Sequence, residues 1–395
     1  MDRRDFLRFG GTAAVVAAGA GGWYDFEAGA LSPIEKPEYA AWNQWKDGGE
    51  PATLKLVRAA ILAASPHNTQ PWRFRVAEDF VEVYVDPRRS VAGLDPYLRE
   101  AHIGMGCALE NLVLTAQANG FEAKISLVDG SLETAETSAG LRMVARVDLA
   151  LGKVQASELY DAIPHRHTNR SQYDPARILP HRFAGELISA CDVEEDVRLL
   201  LFPDGLQRSA LTEVSAEANQ TLYSDPQVEN GSEQWIRWRE ADARRFKDGL
   251  VVETFGLSRM MLAFAKIAPI SILKRASAPT QRAAMYSNQL QSARVMGMIV
   301  ARDRLSQRQS LQAGRVWQRA HLLATARGVG IRPCNEAIEM IDYERKLGLP
   351  PRGLEKLAEI TGDASWQPTF FFLLGYPKLA PHRSPRRPVE GVLIS

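Results

Sequence analysis

The 395-residue sequence has only three cysteines, Cys107, Cys191 and Cys334, widely spaced and with no Cys-x-x-Cys. That count argues against a disulfide framework and against a thiolate zinc site. Charge of one sign is lacking as well: 48 Lys and Arg against 47 Asp and Glu leave a net charge of +1. Nothing in that balance suggests a nucleic-acid partner, and 45% apolar residues with 24% charged residues set aside a disordered chain. No Gly-x-Gly-x-x-Gly sits at a strand–helix turn and no P-loop occurs, so neither common nucleotide cradle is present. Beyond residue 30 no apolar run is long enough for a bilayer helix; Leu257 to Ile270 is short and carries Arg259 and Lys266.

What is there begins at the N-terminus. Arg3-Arg4 stands before a Gly/Ala-rich apolar run from Phe9 to about Trp23, and Ala28-Gly29-Ala30 follows. Paired arginines, a modest apolar segment and a small-residue cleavage site read as a twin-arginine export signal over residues 1–30. An uncleaved N-terminal anchor is the other reading. The signal implies the twin-arginine export machinery as a partner, a periplasmic or extracytoplasmic location, and no stable membrane span in the mature chain.

The rest alternates between helical and strand patterns, with ample mass for a core. Residues 52–64 read as a helix, 73–85 as a strand, Ala123 to Val128 and Arg142 to Leu149 as strands. From Arg99 to Asn119-Gly120 the apolar residues surround the axis, which predicts a helix buried nearly all round. Gly104 and Gly106 would let another backbone or a flat ligand approach it closely. Ile103-Gly104 … Leu112 to Ala116 … Gly120-Phe121 matches Ala313-Gly314 … Leu322 to Ala326 … Gly330-Ile331, which reads as an internal repeat, or as a chance match between two helices. The expected division is 31–150 for one half and 151–395 for the other. Residues 205–300 are extra in the second half and read as a lid or wrap, or as ordinary core packing.

Two stretches carry chemistry. In Ala64-Ser65-Pro66-His67-Asn68-Thr69-Gln70-Pro71-Trp72 two prolines stiffen a polar loop between a helix and a strand. Its imidazole and amides suit the polar edge of a planar heterocycle. In Arg166-His167-Thr168-Asn169-Arg170 two arginines four apart, with a hydroxyl between, can fork around a phosphate. His165 and His167 lack a third ligand at metal spacing. Each half keeps only one of these stretches, so one complete site would form across the two.

The loop resembles the Ser-x-x-Asn-x-Gln-Pro-Trp segment of the nitroreductase family, and Arg-x-Thr-x-Arg resembles that family's FMN-phosphate segment. Phe370 to Pro377 with Arg386-Arg387 resembles its C-terminal strand and second phosphate clamp, with Arg386 the better match. Gly330 to Glu336 resembles the stretch that passes the reactive face of the flavin, with Cys334 and Asn335 departing from the commoner acidic-glycine pair. The pieces together are most similar to the fused, single-chain Acg-like branch. The resemblance implies an α+β fold of two related halves, each a mostly antiparallel sheet flanked by helices, in a monomer that acts as its own dimer. It implies FMN as cofactor, held by Ser65, Pro66, His67, Asn68, Gln70, Arg166, His167, Thr168, Arg170, Gly314, Asn335 and Arg386. His67 and Cys334 are the candidate proton donors or gatekeepers. The expected activity is electron transfer to a small nitro- or quinone-like acceptor; the alternative is an FMN-sequestering protein with little turnover.

Overall fold

The computed structural model describes residues 36–47, 52–134 and 140–394; the proposed signal at 1–30 lies outside the described residues. Two four-stranded antiparallel sheets hold the chain. The first contains β1 (Trp72–Val76), β2 (Phe80–Val85), β3 (Phe121–Leu127) and β4 (Arg142–Leu151), in the order β1-β2-β4-β3. The single strand expected over 73–85 is a hairpin, because Ala77, Glu78 and Asp79 turn the chain and Ala77 N donates to Phe80 O. Along β2 the side chains of Val81, Val83 and Val85 are buried and those between are only partly so, the period-2 pattern of a sheet with one covered face.

The second sheet is built the same way. It contains β5 (Val197–Phe202), β8 (Val295–Ala301), β9 (Gly330–Pro333) and β10 (Gln367–Gly375), in the order β5-β8-β10-β9, every pair antiparallel. Between β5 and β8 runs a long insertion, whose helices surround a small parallel pair, β6 (Ile236–Arg237) and β7 (Leu250–Val251). The insertion ends earlier than the sequence suggested. Residues 295–300 belong to β8, an inner strand of the second sheet, and not to the extra segment. Its Val-Met-Gly-Met-Ile-Val run lacks the alternation that marks a half-exposed strand, which hides it beside an apolar insertion.

Two helices, Arg99–Ala118 and Gln307–Ala326, form the centre. Nearly every residue of the first is buried, as its all-round apolar pattern predicts. They cross at two glycines. A Cβ on Gly106 would lie 2.0 Å from Leu311 O, and a Cβ on Gly314 would lie 2.0 Å from Ile103 O. Backbone therefore meets backbone, and no side chain fits between. The geometry pairs Gly106 with Gly314, Ile103 with Leu311, and the left-handed helix ends Gly120 with Gly328, an offset of 208 residues. The sequence match had set Gly104 against Gly314, two residues out of step. Leu, Thr and Ala recur so often in helices that they align in several registers, whereas the crossing contact admits one.

The N-terminus of the first central helix is fixed by charge. Both Asp95 oxygens accept backbone hydrogen bonds there, from Glu100 N at 3.0 Å and Ala101 N at 2.9 Å. Buried Arg99 and Arg304 share Asp342 at 2.8 and 2.7 Å. This network orients Glu100, the residue next to Arg99. The C-terminal arm then crosses back to the first sheet: Phe74 N donates to Val392 O and Ile394 N to Phe74 O, so the arm lies on the edge strand β1. Residues 36–47 cover it, with Trp42 Nε1 donating to Ser384 O at 2.8 Å. Among the described residues no helix is long and apolar enough to cross a membrane.

Candidate functional site

The Ser65–Gln70 loop is strained. His67, Asn68 and Gln70 have φ of +45°, +56° and +52°, a region that costs non-glycine residues about 1 to 2 kcal/mol each. Its neighbours hold it there. Ser65 Oγ accepts from Gln70 N at 3.0 Å. Asn68 Nδ2 donates to Gly249 O at 3.0 Å and to Pro385 O at 2.9 Å, and Asn68 O accepts from Gly249 N. Gln70 Nε2 donates to Lys247 O at 2.9 Å, and its Oε1 accepts from Arg387 N at 2.8 Å. The insertion and the C-terminal arm thus grip the loop from two sides. The amides expected to face a ligand are spent on polypeptide, and Gln70 does not reach the cavity described next.

That cavity, of about 1700 Å³, lies among the Ser65–Asn68 loop, the two central helices and the insertion. It is lined by Ser65, Pro66, His67, Asn68, Arg166, His167, Thr168, Arg170, Asn335 and Arg386, so Asn68 and Arg170 border one space. Gly104 lies in its wall, with Ser65 and Pro66 tight against it at 3.3 Å from a Cβ built there. Three sequence-predicted residues lie elsewhere. Gly314 is taken up by the helix crossing. Gln70 is buried under the loop. Cys334 is also buried: its N–H donates to Phe371 O at 2.9 Å, continuing the ladder with β10. Its thiol packs in the core behind the second sheet, and burial pushes that thiol well above its ordinary range. It is not placed to donate a proton into the cavity.

Four arginines shape one side of the cavity. Arg166, Arg170, Arg332 and Arg386 all line it, and among the described residues none makes an ion pair. Arg166 Nη2 and Arg386 Nη2 both donate to Leu62 O, at 3.1 and 3.3 Å, and Arg386 Nη1 donates to Asn68 Oδ1. Arg386 also lies over the Trp42 ring at 4.7 Å. Arg166 Nε, Arg386 Nε and Arg332 Nη1 are buried without a partner. Burial lowers Arg166 to about 10, and burial with the nearby Arg332 and Arg166 charges lowers Arg170 to about 9. Buried cations normally have counter-charges. Arg332 has the Glu336 charge nearby, whereas Arg166, Arg170 and Arg386 make no ion pair among the described residues; together they form a cradle for an anion, and the partnerless N–H groups fit the oxygens of a phosphate dianion.

Past Arg332 the character reverses. Glu336, Glu339 and Glu100 line the same cavity with Tyr286 and Asn335. Asn335 Nδ2 donates to Glu100 Oε1 at 2.9 Å. Burial raises Glu100 to about 7 and, with the neighbouring Glu100 and Glu336 charges, raises Glu339 well above the usual carboxylate range. Glu100 is therefore near its midpoint at neutral pH, and the shift of Glu339 is towards the protonated form. Trp317 and Phe370, 4.7 Å apart, form an apolar wall of the same space. Sequence reasoning had not selected Glu100, Glu339, Tyr286 or Arg332. The carboxylates sit in helical first turns, where acidic residues are ordinary; nothing in the chain order joins positions 100 and 339.

His67 faces the cavity with Nε2 2.8 Å from Ser232 Oγ of the insertion. Burial, then the Arg170 and Arg282 charges, lowers it from 6.5 to about 4. The unfolded chain takes up that proton first, so the neutral ring's contribution is complete above pH 6.5 and is lost as pH falls towards 4. Thermal melts between pH 6.5 and 4 should lose stability more gently in His67→Gln than in the parent; equal slopes would show that His67 is not the group responsible.

No family model matches the chain. A protein of Mycobacterium tuberculosis named as an NAD(P)H nitroreductase is 31% identical over 121 residues, 30% of this chain. The chain spans a third of that relative's length. An FMN- and NADPH-dependent nitroreductase of Sphingopyxis sp. strain HMH superposes with a TM-score of 0.38 at 16% identity, covering 60% of this chain and 98% of its own. A nitroreductase of Desulfovibrio desulfuricans in complex with FMN gives 0.32 at 12% identity, covering 61% and 98%. At such scores the fold rests on the strand order and helix crossing described above.

Proposed function

We propose that the chain is an FMN-dependent oxidoreductase of the nitroreductase type, in the fused single-chain Acg-like branch, and that Arg3-Arg4 directs its export. The reading is carried by one observation: four arginines that make no ion pair among the described residues border the same cavity as the Ser65–Asn68 loop. The stretch of similarity to an NAD(P)H nitroreductase supports it. Two halves descended from one ancestral protomer are supported by the identical strand order of the two sheets and by the symmetric contact of Gly106 with Gly314. The export reading is supported by residues 3–30 of the sequence alone.

Each residue then has a task. Arg166, Arg170, Arg332 and Arg386 hold the phosphate. Gly104, Pro66, Trp317 and Phe370 offer the flat ring a close, apolar bed. FMN, when bound, supplies the two-electron chemistry. Glu339 and Glu100 hold a proton at the far side of the space, where an acceptor would sit. A nitro group taking two electrons and two protons becomes a nitroso group and water, and a quinone becomes a quinol. The electrons come from a reductant of hydride-donor class; the protons pass from carboxyls refilled from solvent.

The purified protein should be yellow and should release FMN on heating; a colourless protein that does not quench added FMN overturns the reading. After reduction with dithionite, the bound flavin should be reoxidised by a nitroaromatic or a quinone faster than free FMN. Reoxidation no faster than free FMN would favour storage instead, a role the insertion's grip on the loop suits. Glu100→Gln should keep the flavin but slow this reoxidation by about a hundredfold. In the parent the rate should fall as pH rises through about 7, where Glu100 loses its proton; an unchanged rate and profile in the variant would remove Glu100 from the proton path.

A further inference from the structure

The insertion carries a surface that the cofactor site does not need. The helix Arg259–Ile267 is followed, after Ala268-Pro269, by the helix Ile270–Ala276. Their outward side exposes large apolar residues: Met260 and Ile267 are 63% exposed, Met261 40% and Ile270 37%, with Met285 of the next helix at 45%. Met260, Phe264 and Ile267 fall at helical spacing on one stripe, while Ala265 and Ala268 on the other side are buried. A helix that exposes its larger apolar side chains is normally covered by something.

The charges carried by this segment itself are of one sign. Between Glu253 and Asp303 the sequence has no acidic residue. Arg259, Lys266, Lys274 and Arg275 are all exposed beside the apolar stripe. Lys266 and Lys274 reach Glu253 and Glu233 on neighbouring segments, but Arg259 and Arg275 have no ion pair among the described residues. Two copies meeting face to face on this patch would set these arginines against each other. An anionic surface matches it instead, with apolar side chains below the headgroups and cations at their level. The stripe also frames the cavity entrance: Met260, Met261, Phe264, Ile267, Arg275 and Met285 border both.

We propose that the outer face of residues 259–276, with Met285, docks on an anionic lipid bilayer, so that the cavity mouth opens towards lipid and not towards bulk water. The docking stands on exposed side chains of the insertion alone and is independent of what the cavity holds.

The test uses the full chain and vesicles of phosphatidylcholine with or without phosphatidylglycerol. Flotation should carry the protein up with the anionic vesicles, at least tenfold more than with neutral ones, and high salt should reduce that binding. Arg259→Glu with Arg275→Glu should lower binding to anionic vesicles by tenfold or more, because each basic residue near the surface contributes about a factor of five. Its flavin content and melting temperature, measured on the same sample, report whether it is folded. A second variant guards against misfolding. The three native thiols are buried, so Met285→Cys takes a solvatochromic dye at the mouth. Its emission should shift to the blue on anionic vesicles and stay unchanged on neutral ones. Equal binding to both vesicles, no binding to either, an unshifted dye, or a salt-resistant dimer in place of vesicle binding would overturn the proposal.

Discussion

Replacing Arg170 by methionine will stabilise the flavin-free protein and weaken FMN binding in the same experiment. Arg170 lines the cavity, makes no ion pair among the described residues, and stands between the like charges of Arg332 and Arg166. Without an anion its charge is desolvated and repelled, so an apolar side chain of similar length removes a cost; exchanges of this kind gain about 1 to 4 kcal/mol, and about 1 is expected at this partly buried position. With the phosphate present the same charge becomes an asset of about 1.5 to 3 kcal/mol, so affinity for FMN should fall about 10- to 150-fold. Urea unfolding of the flavin-free protein and titration by FMN fluorescence quenching read the two effects separately. A merely structural arginine would lower stability when removed, and an arginine facing solvent would change neither. Either result would remove the phosphate assignment.

Alanine at Gly106 or at Gly314 should be far more damaging than alanine at Gly104, although all three glycines occupy buried helices. The new Cβ at 106 or 314 would stand 2.0 Å from a carbonyl oxygen of the other helix. Side-chain rotation relieves ordinary overpacking, which costs about 1 to 3 kcal/mol. Here both partners are main chain within helices, so the two central helices must move apart. A loss above about 4 kcal/mol is expected, together with loss of bound flavin, since the same two helices border the cavity. At Gly104 the nearest atoms are 3.3 Å away, in Ser65 and Pro66; a shift of a few tenths of an ångström suffices, and the cost should stay near 1 kcal/mol. Denaturation midpoints of the three variants measure the contrast. Similar midpoints would mean that the close crossing is not what joins the halves.

These two cases also show where sequence reading succeeds and where it stops. The buried helix from Arg99, the turn at Asn119-Gly120 and the basic stretch at Arg166 to Arg170 were legible because each is written in contiguous residues. The register in which the two central helices meet was not, because it is fixed by a contact between Gly106 and Gly314 that composition cannot rank above its neighbours. Asn68 and Gln70 were legible as polar groups on a stiff loop, but not as the anchors of Lys247, Gly249 and the C-terminal arm. Cys334 misled because a strand edge and a loop facing a ligand look alike over four residues. Glu100 and Glu339 escaped notice for a similar reason: one carboxylate in a first turn is unremarkable, and only the packing of two distant helices makes them a pair.

The C-terminal arm has an implication for how the protein is made. Residues 385–394 place Arg386 in the cavity wall and lie on β1, a strand laid down some three hundred positions earlier. A ribosome delivers the arm after both sheets have emerged, so the nascent chain has no finished cradle to offer a cofactor. Loading must therefore wait for the arm, and a nick or tag that frees it should yield a molecule that folds around its two sheets yet fails to retain FMN.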